Sequence, residues 1–185
     1  ISRENGKTYL SSRADFTYRL WRVPLFAYTH EVTERYDGDL CLQSIESTTQ
    51  TRSKKIALKG QRTAAGFAVT SAGAGETTEL NIDCLSTFAY WTPKLLTQTQ
   101  LLNGQDGRLM PVMISPVSEN NDEPAAPKSY RLTADSLDLT LHYSHEGRWV
   151  GLESALPAGR RLVYKLEAYQ NLGSFERAAA LSSSQ

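Results

Sequence analysis

Long runs in which apolar residues recur at every second position, each closed by turn chemistry, constrain this chain most. From Tyr9 to Trp21, the residues Leu10, Ala14, Phe16, Tyr18 and Leu20 share one parity, and Arg13, Asp15, Thr17 and Arg19 the other. Successive side chains of a strand point to opposite faces, so this run predicts a strand with one greasy side. Phe26 to Tyr36 repeats the pattern, with Phe26, Tyr28, His30, Val32 and Tyr36 against Ala27, Thr29, Glu31, Thr33 and Arg35. Asp37-Gly38 predicts a type I′ hairpin turn, with Leu40 to Thr49 as the return strand. Shorter runs follow at Ile56 to Gln61, Phe67 to Ser71 and Glu79 to Cys84. The rhythm returns at Ser129 to Ala134, Leu137 to Tyr143, Arg148 to Ser154 and Arg160 to Tyr169. Strands in this succession predict an all-β antiparallel meander. A sheet with one apolar face must curl on itself or be covered, so the expected architecture is a curved sheet, half-barrel or barrel.

The middle of the chain breaks the rhythm. Thr92-Pro93 reads as an N-cap followed by proline at the first helical position, which predicts one short helix near 92–98. Pro111 and Pro116 interrupt Arg108 to Val117, as an edge or bulged strand would allow. With 185 residues and no shift in composition, residues 1–170 are expected to form a single β domain. Residues 171–185 hold no apolar stripe and are expected to be a C-terminal tail.

Charge excludes some partners. Twenty Lys+Arg balance twenty Asp+Glu, so the net charge is zero. Nucleic-acid binding and a polybasic membrane mode both need a positive field, and neither is expected. No stretch approaches the ~20 apolar residues of a transmembrane segment. The chain opens on Ile1 rather than Met, which fits an export signal already removed and a periplasmic or secreted location.

The residues offer few catalytic constellations. There is no phosphate-binding loop, no nucleophile elbow and no Cys-x-x-Cys, and no cofactor is expected. His142 and His145 are too thin a set for a metal site, and none is assigned. His30 stands on an apolar face among Phe26, Tyr28 and Val32. It reads either as a hydrogen-bonded core histidine or as a polar contact at the bottom of a pocket. Glu153, among Trp149, Val150 and Leu152, reads either as a catalytic acid or as an edge or outward carboxylate paired with a nearby arginine. Cys41 and Cys84 are the only cysteines. They form one disulfide if the chain is exported, or stay as two buried thiols.

One block is distinctive: Asp83-Cys84-Leu85-Ser86-Thr87-Phe88-Ala89-Tyr90-Trp91-Thr92-Pro93, followed by Leu101-Leu102-Asn103 and Gly107-Arg108-Leu109. Together with Gly151-Leu152-Glu153-Ser154 and Gly159-Arg160-Arg161-Leu162-Val163-Tyr164-Lys165-Leu166, it resembles a bacterial family known only as a domain of unknown function. The resemblance runs from about Tyr9 to Leu166. It implies an exported, all-β protein. It carries no activity and no functional residues.

Two functions of different class fit these features. The first is a binding protein that holds an apolar or amphipathic, lipid-like molecule inside a curved sheet. Its expected ligand contacts are Phe26, Tyr28, His30, Tyr90, Trp91 and Glu153, with Tyr90, Trp91, Leu95 and Leu96 as a lid. The nine Tyr, five Phe and three Trp suit that role, although such rings also fill dry cores. The second is a small β-barrel enzyme of isomerase or cyclase type, using His30, Tyr28 and Glu153 on a hydrophobic substrate. A structural or assembly factor of the cell envelope, working through sheet edges, is a further alternative. No residue is assigned a catalytic role, and the binding reading is preferred.

Overall fold

The alternating runs pair with their neighbours in chain order. The computed structural model describes residues 1–20, 23–71, 75–117, 128–135, 137–156 and 160–167. Seven strands form one antiparallel sheet: β1 (Ser2–Glu4), β2 (Lys7–Leu20), β3 (Val23–Tyr36), β4 (Leu42–Thr51), β5 (Lys55–Arg62), β6 (Phe67–Ser71) and β7 (Thr77–Leu80). A 3-10 helix (Pro93–Thr97) and a two-stranded ribbon of β8 (Gln100–Leu102) and β9 (Leu109–Pro111) follow. A second antiparallel sheet then runs through β10 (Met113–Pro116), β11 (Lys128–Ala134), β12 (Leu137–Tyr143), β13 (Trp149–Leu156) and β14 (Arg160–Lys165). The fold is the antiparallel all-β meander that the alternation predicts, in its open form. Among the described residues, β1 and β7 do not pair with one another, so the sheet is not closed into a barrel. The expected tail, residues 171–185, lies outside the described residues.

Turn chemistry sets the element ends. Asn5 and Gly6 both adopt positive φ, 48° and 72°, as a two-residue turn of type I′ requires, and so join β1 to β2. The Asp37-Gly38 expectation is corrected. The connection there spans Asp37 to Cys41, and the left-handed residue is Leu40 at φ 62° rather than Gly38. The Asp37 carboxylate organises this loop by accepting from the backbone N–H of Asp39 (3.0 Å) and of Cys41 (2.9 Å). A register shift between Arg35 and Tyr36 accommodates the loop, and β4 starts at Leu42 instead of Leu40. The predicted helix is the 3-10 helix: the Thr92 hydroxyl accepts from Lys94 N–H at 3.3 Å, and Pro93 occupies the first turn.

Two apolar cores lie on either side of the middle segment, and extended backbone divides its side chains between them. Leu101 and Met110 enter the core of the second sheet, with Leu132, Leu139, Leu141 and Tyr143. Their neighbours Leu102 and Leu109 join the core of the first sheet, with Tyr36, Leu42, Ile45, Leu58 and Phe67. Phe88 and Tyr90 pack on the second core, Ala89 and Trp91 on the first. This is period-two alternation working in the connector, where it joins the two halves rather than separating inside from outside. Main-chain bonds fix the segment: Leu42 N–H donates to Leu85 C=O at 2.8 Å, and Leu102 N–H to Ser86 C=O at 2.9 Å. A disulfide between Cys41 and Cys84, with Cα atoms 4.8 Å apart, staples the start of β4 to the same segment.

Candidate functional site

The pairing of β3 with β4 ends at Tyr28 opposite Thr51, while β2 and β3 continue as a two-stranded ribbon to Leu20 opposite Val23. Tyr28 and His30 therefore stand where the broad sheet gives way to the ribbon. Both are half-buried, and their rings stack with centroids 6.4 Å apart. They share the parity of the core residues Glu34 and Tyr36, so they lie on the inner face.

The loop after β8 covers this part of the face. The Ser47 hydroxyl donates to Gly104 C=O at 2.5 Å, and the Thr49 hydroxyl to Gln105 C=O at 3.4 Å. Within the loop, Asn103 Oδ1 accepts from Gln105 N–H at 2.9 Å. Gly107 adopts φ 81°, and a Cβ on it would lie 2.6 Å from the Leu58 side chain, so close approach to the sheet requires glycine there. His30 Nδ1 lies 2.9 Å from Thr49 Oγ1. Burial depresses the imidazole pKa, because the charged form loses hydration without gaining a carboxylate partner.

Tyrosines continue the site towards the second sheet. Burial is the larger cause of the raised pKa of both Tyr28 and Tyr90, and the charge of the Tyr164 phenol on β14 is a secondary cause at each. The Tyr143 hydroxyl donates to Tyr90 C=O at 2.8 Å, and the Tyr143 ring meets Tyr130 edge-on at 5.9 Å. Tyr90 from the connector thus shares the second core with Tyr130, Tyr143 and Tyr164. Such groups offer apolar ring faces with a hydroxyl at the end, which suits an amphipathic contact surface.

The structure brings together two of the six expected ligand contacts, Tyr28 and His30, while Tyr90 packs on the second core. Phe26 pairs in register with Tyr18, but its side chain lies outside the described residues. Trp91 does not share a lid with Tyr90. Its indole packs edge-on against Tyr36, centroids 5.4 Å apart, in the other core. The lid expectation is further corrected by Leu95, which is fully buried in the second core. Glu153 lies on the outer parity of the second sheet, beside Arg161 and with its Oε1 3.9 Å from His142 Nε2, as the outward reading had it. His142 in turn holds Ser129 Oγ at 3.0 Å from its Nδ1.

Sequence reasoning missed three contributors. Thr49 and Tyr164 sit on the inward parity of their strands, but nothing local marks Thr49 as the partner of His30 or Tyr164 as part of the second core. Glu34 also shares the inward parity. It is only 3 % exposed and accepts from the Tyr36 hydroxyl at 2.7 Å, and that hydroxyl lies 3.1 Å from Thr87 Oγ1. A carboxylate breaks the apolar count, which hides Glu34 within the alternation. On the opposite face of the first sheet lies a polar groove of about 520 Å³, lined by Arg13, Thr29, Glu31, Gln50 and Lys55 among others. Arg13 is engaged there by Asp15 and Glu31, each at 2.7 Å.

Among solved structures the chain is similar to a beta-barrel-like protein of domain of unknown function DUF1849 from Brucella abortus. The TM-score is 0.58 at 11% identity, covering 90% of this chain and 84% of that one. The fold class is therefore that of the β-barrel-like proteins. The chain belongs to the family described as domain of unknown function DUF6134, whose profile matches residues 1–167. No curated protein matches the sequence. Among the described residues, no helix is long and apolar enough to cross a membrane.

Proposed function

We propose that this protein binds an apolar or amphipathic small molecule, lipid-like in character, between the inner face of its first sheet and the edge of its second, and does no chemistry on it. The observation that carries this reading is the half-buried, stacked pair Tyr28 and His30 on the inner face under the Gly104–Gln105 loop, with half-buried Tyr90 and Tyr164 on the second core. Filled core accounts for the other end of the same face, whereas this end presents rings and single polar groups, the composition of small-molecule sites. The disulfide supports an oxidising compartment, and with it a periplasmic or secreted location.

The test is titration of the intact protein with phenylnaphthylamine, an apolar dye whose fluorescence rises out of water. We expect a saturable, one-to-one rise. Tyr28→Ala and Tyr164→Ala should each weaken it about tenfold, and Lys59→Ala on the outer face should leave it unchanged. A dye signal that fails to saturate, or that ignores both tyrosine variants, overturns the reading.

A further inference from the structure

The two sulfurs of the Cys41–Cys84 disulfide stand in different electrostatic surroundings. On the Cys41 side, the Lys94 ammonium lies 3.7 Å from Sγ. A hydrogen bond from its Nζ to Asp39 C=O, at 2.5 Å, holds it there. Lys94 belongs to the 3-10 helix and is half-buried, so its charge is screened less than that of a free surface lysine. The Asp37 carboxylate shares this loop, but three donors engage it: the N–H groups of Asp39 and Cys41, and the side-chain amide of Gln43. On the Cys84 side, the charged neighbours are Asp83, exposed and next in the chain, and Arg62 from β5. The Arg62 guanidinium donates to the C=O groups of Ile82 and Asp83 rather than to sulfur. Among the described residues, Cys41 is thus the cysteine with a cation against its sulfur.

Thiol–disulfide exchange passes through a mixed disulfide, and the departing sulfur takes the electron pair as a thiolate. A neighbouring cation favours the thiolate form, so Cys41 is the better leaving group of the two. Both cysteines are half-buried, not sealed in a core. Their chain neighbours hold the site together once the bond opens. Leu42 and Leu85 are buried in the same core, and Leu42 N–H donates to Leu85 C=O at 2.8 Å. The freed sulfur therefore stays beside its partner, and the bond can re-form.

We infer that the Cys41–Cys84 disulfide is a directed site of thiol–disulfide exchange, at which an incoming thiolate bonds to Cys84 and Cys41 leaves as a thiolate against the Lys94 ammonium. The bond that forms joins the reductant's sulfur to Cys84 Sγ. The bond that breaks is the Cys41–Cys84 bridge, and its electron pair passes to Cys41 Sγ. A second thiolate of the reductant then attacks the reductant's sulfur in the mixed disulfide. Cys84 departs with that electron pair and takes a proton from water. The protein gains two electrons, and the reductant, a dithiol or two monothiols, becomes a disulfide. In the reverse direction, the Cys41 thiolate attacks Cys84 in the mixed disulfide and expels the reductant's sulfur.

The intact, oxidised protein is mixed with glutathione near neutral pH and quenched in acid at early times. Freed thiols are then blocked with N-ethylmaleimide, and peptide mass spectrometry locates the glutathione. Cys84 should carry it in roughly tenfold excess over Cys41. Lys94→Met should bring the two sites within about twofold and slow the reaction, whereas Lys94→Arg, which keeps the cation, should retain the bias. Molar salt should narrow the bias in the wild type. A residue that only packs would not sort its variants by charge. Equal labelling, or glutathione mainly on Cys41, overturns the inference. So does a disulfide that reacts only once urea has unfolded the protein. A bias that survives Lys94→Met or, should that variant not fold, is untouched by molar salt, overturns it as well.

Discussion

The inner face of the first sheet carries two different surfaces on the same strands. At one end β3 contributes Tyr36, β4 Leu42 and Ile45, β5 Leu58, and β6 Phe67 and Val69, none more than 4 % exposed. At the other end the same parity yields Tyr28 and His30 on β3, and Ser47 and Thr49 on β4. The first surface is held by apolar volume. The second is held by the Ser47 and Thr49 hydroxyls bonding the Gly104–Gln105 loop, with the His30 imidazole bonded to Thr49. Strand periodicity dictates which residues face inward, and it is silent on whether the space they face is filled. That second property follows from side-chain volume and from what the connector lays against the sheet.

The contrast breaks most sharply on stability. Phe67→Ala removes a fully buried ring whose edge fills the position a side chain on Gly60 would need. It should cost about 3–5 kcal/mol, read as a fall in the urea midpoint at unchanged slope. His30→Leu, at the half-buried end, should cost under about 1 kcal/mol on the same scale. Equal losses at the two positions would mean that both ends are core, and the distinction between them would be lost.

The second test concerns the staple at the packed end. The bridge spans 43 residues of sequence. Closing a loop of that length is worth up to about 4 kcal/mol in the chain-entropy account. The double replacement of Cys41 and Cys84 by serine should lower stability by up to that amount. It should also speed hydrogen exchange at the Leu42 and Leu102 amides, which bond to the stapled segment. Dye binding at the Tyr28 end should survive, provided the protein is kept below its new midpoint. Loss of binding in step with the exchange would show that the two ends are mechanically one.

Much of the fold was legible because it rests on local rules. The alternation of Leu10 to Leu20 and of Phe26 to Tyr36 implies the strands, and Thr92-Pro93 marks the 3-10 helix, the one helix among the described residues. The Asp37-Gly38 signal misleads because the left-handed residue is Leu40, flanked by Asp39 and Cys41, whose N–H groups donate to the Asp37 carboxylate. The site was legible only in part. His30 drew notice as a polar residue in an apolar run. Its partner Thr49 comes from a distant segment, and only the register of β3 with β4 brings them close. Trp91 was grouped with Tyr90 by adjacency, although adjacent residues of extended chain face opposite ways.

The smallest expected effect distinguishes the ends by their titratable groups. Glu34 is buried at the packed end, and the groups that act on it are the Tyr36 phenol from its own strand and the Thr87 hydroxyl from the connector. Its cross-strand partners, Leu10 on β2 and Ile45 on β4, carry no charge. Burial raises its pKa above the ordinary 4.5, and the two hydroxyl bonds oppose this only partly. The folded protein then binds a proton that the unfolded chain has released, so stability falls as pH rises from the ordinary carboxylate range through the raised value. His30 acts with the opposite sign. Its lowered pKa means that stability is lost as pH falls below the ordinary imidazole range. Subtracting the urea midpoints of Glu34→Gln from those of the wild type, from about pH 4 to pH 8, cancels the histidine and isolates the carboxyl. The amide keeps an oxygen for the Tyr36 hydroxyl, so the variant should lie within about 1 kcal/mol of the wild type at acid pH. It should gain on the wild type as pH rises. A constant difference across the range would show that Glu34 titrates as an ordinary exposed carboxylate, and that the packed end is open to water where its burial says it is not.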